Sequence, residues 1–316
     1  MIRRRIFTIM ALLLVTVFAV HADAQTTAIR FGKLWDGSKT INDAVVVVES
    51  DRIVAVGSGA NAVPRGAKVI DLRKYTGLPG LIDLHTHITY YWDRKPGTRP
   101  RGVQRLPAVT VYLAQDNARR TLETGVTTIR DLNAGNDMDL AMRELIASGA
   151  MIGPRMFVSG PGLSSRPNQP LNAETVANLV AARVKSGVDW VKVFGSRGSY
   201  EVVDGTQTVS LDEMKSVVAA AHAAGKKVAV HSYGASGVRD AVLAGADSVE
   251  HGAEVDDETF KEMIKRAARC GCRRSITTAI TSTPPASLDL RRDRRARSRT
   301  TSSATSYQCA APFSSA

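Results

Sequence analysis

His85 and His87 close the run GLPGLIDLHTH, residues 77–87. Residues two apart on a strand point to the same face, so this pair aims two imidazoles in one direction from the end of an apolar stretch. Imidazole is the commonest metal ligand, and a divalent ion would tie the two rings together. The spacing alone also arises by chance, so the other histidines decide its weight. His231 ends KKVAVH and His251 ends DSVEH, each at the C-terminal end of a short apolar run. His222 differs. It lies in AAAHAAG, near the end of an Ala-rich helix, where a surface or packing role favoured by the helix dipole is expected.

Lys192 adds a group of another kind. It is flanked by Trp190, Val191, Val193 and Phe194, and an ammonium buried there is costly unless it is paired or neutral. One reading is an ion-paired or snorkelling lysine. The other is a neutral amine that takes up carbon dioxide and becomes an anionic carbamate bridging two metal ions.

The elements that would position these groups alternate along the chain. GLIDLHTH, VTTIRDL, RMFVSG, DWVKVFGS, KKVAVHSYG and DSVEHG read as short strands, and an amphipathic helical segment follows each of them. Six strand-then-helix units argue for right-handed crossovers and a parallel sheet. A TIM-like (β/α) barrel is the leading architecture, with catalytic groups gathered at the C-terminal ends of its strands. An open doubly wound sheet is the alternative. No GxGxxG or Walker-type loop follows the first strand, which argues against a nucleotide-binding protein of that kind.

Four regions follow. Residues 1–24 join a basic MIRRR to an apolar stretch and an Ala22-Asp23-Ala24 cleavage site, the pattern of a secretory signal peptide. Export, to the periplasm, is expected, and no later segment is apolar for long enough to span a membrane. Residues 25–76 read as short strands with hairpin turns, a small β unit. Residues 77–266 hold the strand–helix units. Residues 267–316 form an Arg/Ser/Thr-rich tail without Lys or Glu, expected to be disordered.

The net charge of +12 lies mainly at the ends. Arg3, Arg4 and Arg5 stand against Asp23, and nine arginines of the tail stand against Asp289 and Asp293. Residues 25–266 keep only +3, an ordinary balance that supports no nucleic-acid partner. Cys270, Cys272 and Cys309 all fall in the tail, so the body has no disulfide framework.

The HxH strand end, Lys192 in a fourth strand, His231 in a fifth and His251 in a sixth resemble the amidohydrolase superfamily with a binuclear metal centre. GLPGLIDLHTHI, GVTTIRDL, VAVHSYG and AGADSVEHG resemble its imidazolonepropionase-like branch, which includes Xaa-Pro-type dipeptidases. The resemblance implies an N-terminal β-sandwich portion beside the barrel. It implies that His85 and His87 hold one divalent ion and His231 and His251 a second, with carboxylated Lys192 as the bridge. Zn suits such ligands, as do Mn, Co and Fe. The implied reaction is attack of a metal-activated hydroxide on an amide or other C–N bond of a small molecule or dipeptide.

One family group is missing. The resemblance calls for an Asp at the end of an eighth strand, and the chain supplies about six of the eight units. Asp289 and Asp293 sit in arginine-rich surroundings and do not fit the role. The catalytic carboxylate is therefore unassigned, and a frameshift near residue 266 is the expected cause. An inactive, truncated amidohydrolase derivative is the alternative to an active enzyme. The sequence leaves homo-oligomer formation and the substrate open.

Overall fold

The computed structural model describes residues 26–90, 106–166, 168, 170–199 and 202–269, of which 267–269 by backbone alone. The signal-like segment and residues 270–316, with all three cysteines, lie outside the described residues. Two compact units meet in the chain between Gly80 and Leu81.

The first unit grows from β-branched runs separated by turn chemistry. Strands β1 (Thr27–Trp35) and β2 (Thr40–Glu49) are antiparallel, with Ala28 opposite Val47 and Leu34 opposite Ile41. Asp36 makes the turn between them, its carboxylate accepting from the backbone N–H groups of Ser38 and Lys39. Strand β3 (Arg52–Ser58) pairs antiparallel with β2, and β4 (Lys68–Gly77) pairs parallel with β1. The sheet order is β3-β2-β1-β4. The alternation of strand side chains sorts the valine run of β2. Val45 and Val47 pack with Ala28, while Ala44 and Val46 pack with Leu34 on the other side. Both faces of β2 are therefore buried.

The second unit repeats one motif. Strands β5 (Leu81–Thr86), β6 (Val126–Asp131), β7 (Arg155–Val158), β8 (Trp190–Phe194), β9 (Lys227–Ser232) and β10 (Ser248–His251) are each followed by a helix. These are α1 (Pro107–Glu123), α2 (Met138–Ala147), α3 (Ala173–Ser186), α4 (Leu211–Ala223), α5 (Ala235–Ala244) and α6 (Asp257–Arg269). The three strands β5-β6-β7 form one parallel ladder and β8-β9-β10 another. The ladders are stitched together where Asp189 N–H donates to the Val158 carbonyl at 2.9 Å and Leu163 bridges to Val193. Six βα units thus stand in chain order, as the alternation of the sequence requires.

Local chemistry starts and stops the helices. Pro107 opens α1, Asn172 caps α3 by accepting from Thr175 N–H, and Ser210 with Glu213 forms a complete capping box on α4. Gly187 and Gly245 end α3 and α5 in the left-handed conformation, which costs glycine nothing. Among the described residues no helix is long and apolar enough to cross a membrane.

The strands carry two kinds of face. Val191, Val193, Val228, Val230 and Val249 join Val176, Val180, Met214, Val217, Val238 and Val242 of the helices in the main core. Ile129 and Val158 do the same in a second cluster with Ala114, Ala118 and Met142. The residues between them, Arg130, Lys192, His231 and Glu250, fall on the opposite face of their strands. They are buried all the same, so each charge must find a partner or be neutralised.

Candidate active site

The end of β5 is fixed on both sides of His87. Asp131, at the end of β6, accepts from Thr86 Oγ1 at 2.9 Å and from Ile88 N–H at 2.6 Å through one carboxylate oxygen. The Asn117 amide on α1 donates to the carbonyls of Ile88 and Tyr90 at 2.8 and 2.9 Å. Tyr90 stacks on the His87 ring with centroids 4.7 Å apart.

At β9, the N–H groups of Gly195 and Ser196 both donate to the His231 carbonyl, at 2.8 and 3.2 Å. A Cβ on Gly195 would stand 3.0 Å from that oxygen, so glycine is what lets the two segments approach. His251 ends β10 with φ of +71°, a left-handed conformation uncommon outside glycine and often kept at functional sites. Regular alternation would send Glu250 and His251 to opposite faces. The left-handed turn ends that alternation, and both side chains meet His85.

Four of the predicted side chains come together. The His85 ring lies 5.2 Å from His87 and 4.9 Å from His251, centroid to centroid. His231 lies 4.6 Å from His251. Tyr233 stacks on His251 at 4.6 Å and meets His231 edge to face at 4.9 Å. His222 stands apart: its Nε2 pairs with Asp247 at 2.7 Å, and its side chain is 40% exposed.

Lys192 completes the group from β8. It is 1% exposed, and its Nζ has no hydrogen-bond partner among the described residues. The Phe194 ring centroid lies 5.7 Å from Nζ. Burial pulls its pKa from 10.5 down to about 8, with Glu250 opposing the shift and Arg130 adding to it. The same burial favours the neutral form of three of the imidazoles. His87 is lowered to about 3 by desolvation and by the charges of His85 and Lys192. His231 is lowered to about 4 by desolvation and Lys192, and His251 to about 3 by desolvation, His231 and His85.

Two charged residues of the site, Arg130 and Glu250, were not singled out from the sequence. Arg130 Nη2 donates to Glu250 Oε1 at 2.6 Å, and the His85 Nδ1 lies 2.8 Å from Glu250 Oε2. Burial alone would raise the Glu250 pKa. The hydrogen bond with His85 and the charges of Arg130 and Lys192 outweigh it and hold the carboxyl at about 2. The Arg130 guanidinium lies 4.4 Å over the Trp190 ring. A charged residue inside an apolar strand was the available signal, as it was for Lys192.

Among the described residues, no three His, Cys, Asp or Glu side chains are closed around a common point as an ion would require. The two ligand sets expected from the sequence are brought near one another but not assembled, because the His85–His87 and His231–His251 rings meet edge to face. The donor chemistry nevertheless suits divalent ions. Neutral imidazoles are the form that ligates, and the buried His87 Nδ1 and Lys192 Nζ have no hydrogen-bond partner.

Comparison with known proteins settles the family. Residues 76–297 match the amidohydrolase family. The chain belongs to it. It is 28% identical over 306 residues to the ochratoxinase of Aspergillus niger, covering 82% of this chain and 61% of that protein. It is 28% identical over 249 residues to the imidazolonepropionase of Streptomyces coelicolor, covering 69% of this chain and 59% of the relative. Among solved structures, a Xaa-Pro dipeptidase with bound methionine superposes with a TM-score of 0.67 at 28% identity, covering 77% of this chain and 65% of that one. The chain thus spans less than two thirds of the length of each. These relatives mark the α/β unit as having a TIM-like barrel fold.

Proposed function

We propose that this amidohydrolase is metal-dependent and hydrolyses a C–N bond of a small molecule, a dipeptide or N-acyl amino acid being the first class to test. One observation carries the reading: histidines from β5, β9 and β10 converge beside a fully buried lysine that has no hydrogen-bond partner among the described residues. His85 and His87 would hold one ion and His231 and His251 the other, with carboxylated Lys192 between them. Zn is the first candidate, with Mn, Co and Fe after it. Divalent ions in such a site polarise a carbonyl and activate water as a nucleophile.

The chain's own residues prepare that chemistry. Burial favours the unprotonated form of His87, His231 and His251 and brings the Lys192 amine to about 8, where part of it is neutral near physiological pH and able to take up carbon dioxide. Tyr90 and Tyr233 wall the histidines with stacked rings, which limits their swing. The fold is read as a partial barrel of about six units, preceded by part of a β-sandwich. The N-terminal charge and hydropathy pattern supports export to the periplasm, and the substrate is taken to be a small molecule rather than nucleic acid.

A second reading, a metal-binding derivative without turnover, draws on the carboxylates. Glu250 is committed through both oxygens to Arg130 and His85, and Asp131 is committed to the backbone beside His87. Glu250 is therefore not free to carry a proton to a leaving nitrogen, and Asp131, whose Oδ2 has no partner among the described residues, is fully buried and anchored beside His87 through Oδ1. The two readings part in one assay. Purified protein with Zn, Mn or Co should turn over dipeptides or N-acyl amino acids. No turnover in this chain, with recovery in a version whose reading frame is restored after residue 266, would favour the inactive derivative. No turnover in either would count against hydrolysis of this substrate class.

A further inference from the structure

Glu250 and Arg130 have no place in the proposed ligand set, yet they form one of the most buried charged groups described in the chain. The side chains of Glu250, Arg130 and His85 are 0%, 4% and 7% exposed. Three strands contribute. Arg130 on β6 donates through Nε to the Leu84 carbonyl on β5 at 2.6 Å and through Nη2 to Glu250 Oε1 on β10 at 2.6 Å. Ser248 Oγ also donates to Oε1 and sits 3.2 Å from Arg130 Nη2. The second carboxylate oxygen, Oε2, faces His85 Nδ1 at 2.8 Å.

The guanidinium therefore holds the backbone of the residue just before His85, while its carboxylate partner holds the His85 ring. Both ends of one residue are fixed through a single ion pair. An ionised carboxylate can only accept, so the Nδ1 opposite it must carry the hydrogen. With the Nδ1 side taken up by the carboxylate, Nε2 is the ring nitrogen left to ligate. His87, in contrast, has a buried Nδ1 with no hydrogen-bond partner. The two histidines of the HTH run thus differ in what their Nδ1 atoms meet.

We infer that Glu250 is a positioning residue that fixes the tautomer and orientation of His85 so that Nε2 faces an incoming ion, and that Arg130 fixes Glu250. The inference rests on the reading of His85 as a metal ligand. Outer partners of this sort raise the basicity of a ligand and lock its ring, and their loss costs about 10- to 100-fold in metal affinity. An ion pair serving only as structure would change stability without changing the His85 tautomer.

The test uses the full chain, ¹⁵N-labelled, stripped of metal and then titrated with Zn²⁺. Long-range ¹H–¹⁵N correlation of the imidazole rings reports the tautomer without any metal, and the titration reports affinity. In the wild type, His85 Nδ1 should carry a hydrogen directed at Glu250. In Glu250→Gln, the amide cannot accept from both Arg130 and His85. The Nε2–H tautomer should then appear, with Zn²⁺ affinity falling about 10- to 100-fold. Should Glu250→Gln fail to fold, the double variant Glu250→Met with Arg130→Met removes both the acceptor and the stranded buried cation and should give the same two changes. An Nε2–H tautomer in the wild type, or a variant with unchanged tautomer and Zn²⁺ affinity, would overturn the inference. A Glu250-dependent Nδ1–H tautomer in a wild type that binds no Zn²⁺ would instead overturn the metal reading and leave the tautomer assignment standing.

Discussion

Lys192→Met should stabilise the metal-free protein, an unusual result for a change at the centre of an active site. The wild-type amine is 1% exposed, lacks a hydrogen-bond partner and has its pKa lowered from 10.5 to about 8. That gap corresponds to about 3 kcal/mol of unfavourable burial of the charged form, net of attraction to Glu250. The penalty is fully present below about pH 8, because the ammonium exists in both states but is solvated only in the unfolded chain. Between pH 8 and 10.5 the folded protein has released its proton while the unfolded chain still holds one, so wild-type stability rises with pH. Methionine has similar reach and no charge, and such a swap at matched volume costs under about 1.5 kcal/mol in packing. Urea unfolding after chelation, in bicarbonate-free buffer, should show the variant more stable by about 2–3 kcal/mol at pH 7, with the difference shrinking by pH 10. A variant less stable than wild type at pH 7, or a difference that ignores pH, would refute the claim that this amine is buried without compensation.

Three further outcomes follow from the same geometry. Acid should destabilise the metal-free protein: His87, His231 and His251 are lowered to about 3, 4 and 3, so the unfolded chain binds more protons below pH 6.5. Stability should fall from there towards pH 3–4 by up to about 1.4 kcal/mol per pH unit for each histidine, less for the more open His251, as thermal melts across that range would report. Gly162→Ala would place a Cβ 2.5 Å from the Phe194 ring and 3.2 Å from Lys192 Cγ; a loss of about 1–3 kcal/mol is expected in denaturant unfolding, with lowered metal uptake because Lys192 must shift. Ser210→Ala removes the capping box of α4, costing about 0.5–2 kcal/mol in the same assay and leaving metal content unchanged.

The βα repeat was legible because its signals are local. Each of the six strands and helices lies within a few residues of where apolar periodicity, cap residues and terminal glycines place it, and the valine alternation of β8 and β9 separates helix-facing from site-facing positions. The four histidines and Lys192 were legible for the same reason, since each ends or interrupts an apolar strand. Arg130 and Glu250 carry that signal too, but their meaning lies in pairing across 120 residues, which no local pattern records. The backbone at His251 was hidden as well. A histidine before Gly252 reads as an ordinary strand end, and its left-handed φ emerges only when the turn must bring Glu250 and His251 to one site. Asp131 is a third case: it reads as the polar end of a strand, whereas in the structure burial drives its carboxyl up to about 8 while it accepts from the Thr86 hydroxyl and the Ile88 N–H on either side of His87.

The central claim is that the histidines of three strands and Lys192 hold divalent metal. Metal content per chain, measured by elemental mass spectrometry after dialysis against Zn²⁺ and removal of excess ion, tests it most directly. Two ions per chain are predicted for the wild type, with substantial loss in His85→Ala, His87→Ala, His231→Ala and His251→Ala, and no loss in His222→Ala, whose ring pairs with Asp247 away from the cluster. A wild type without bound metal, or equal loss in His222→Ala, would contradict the account.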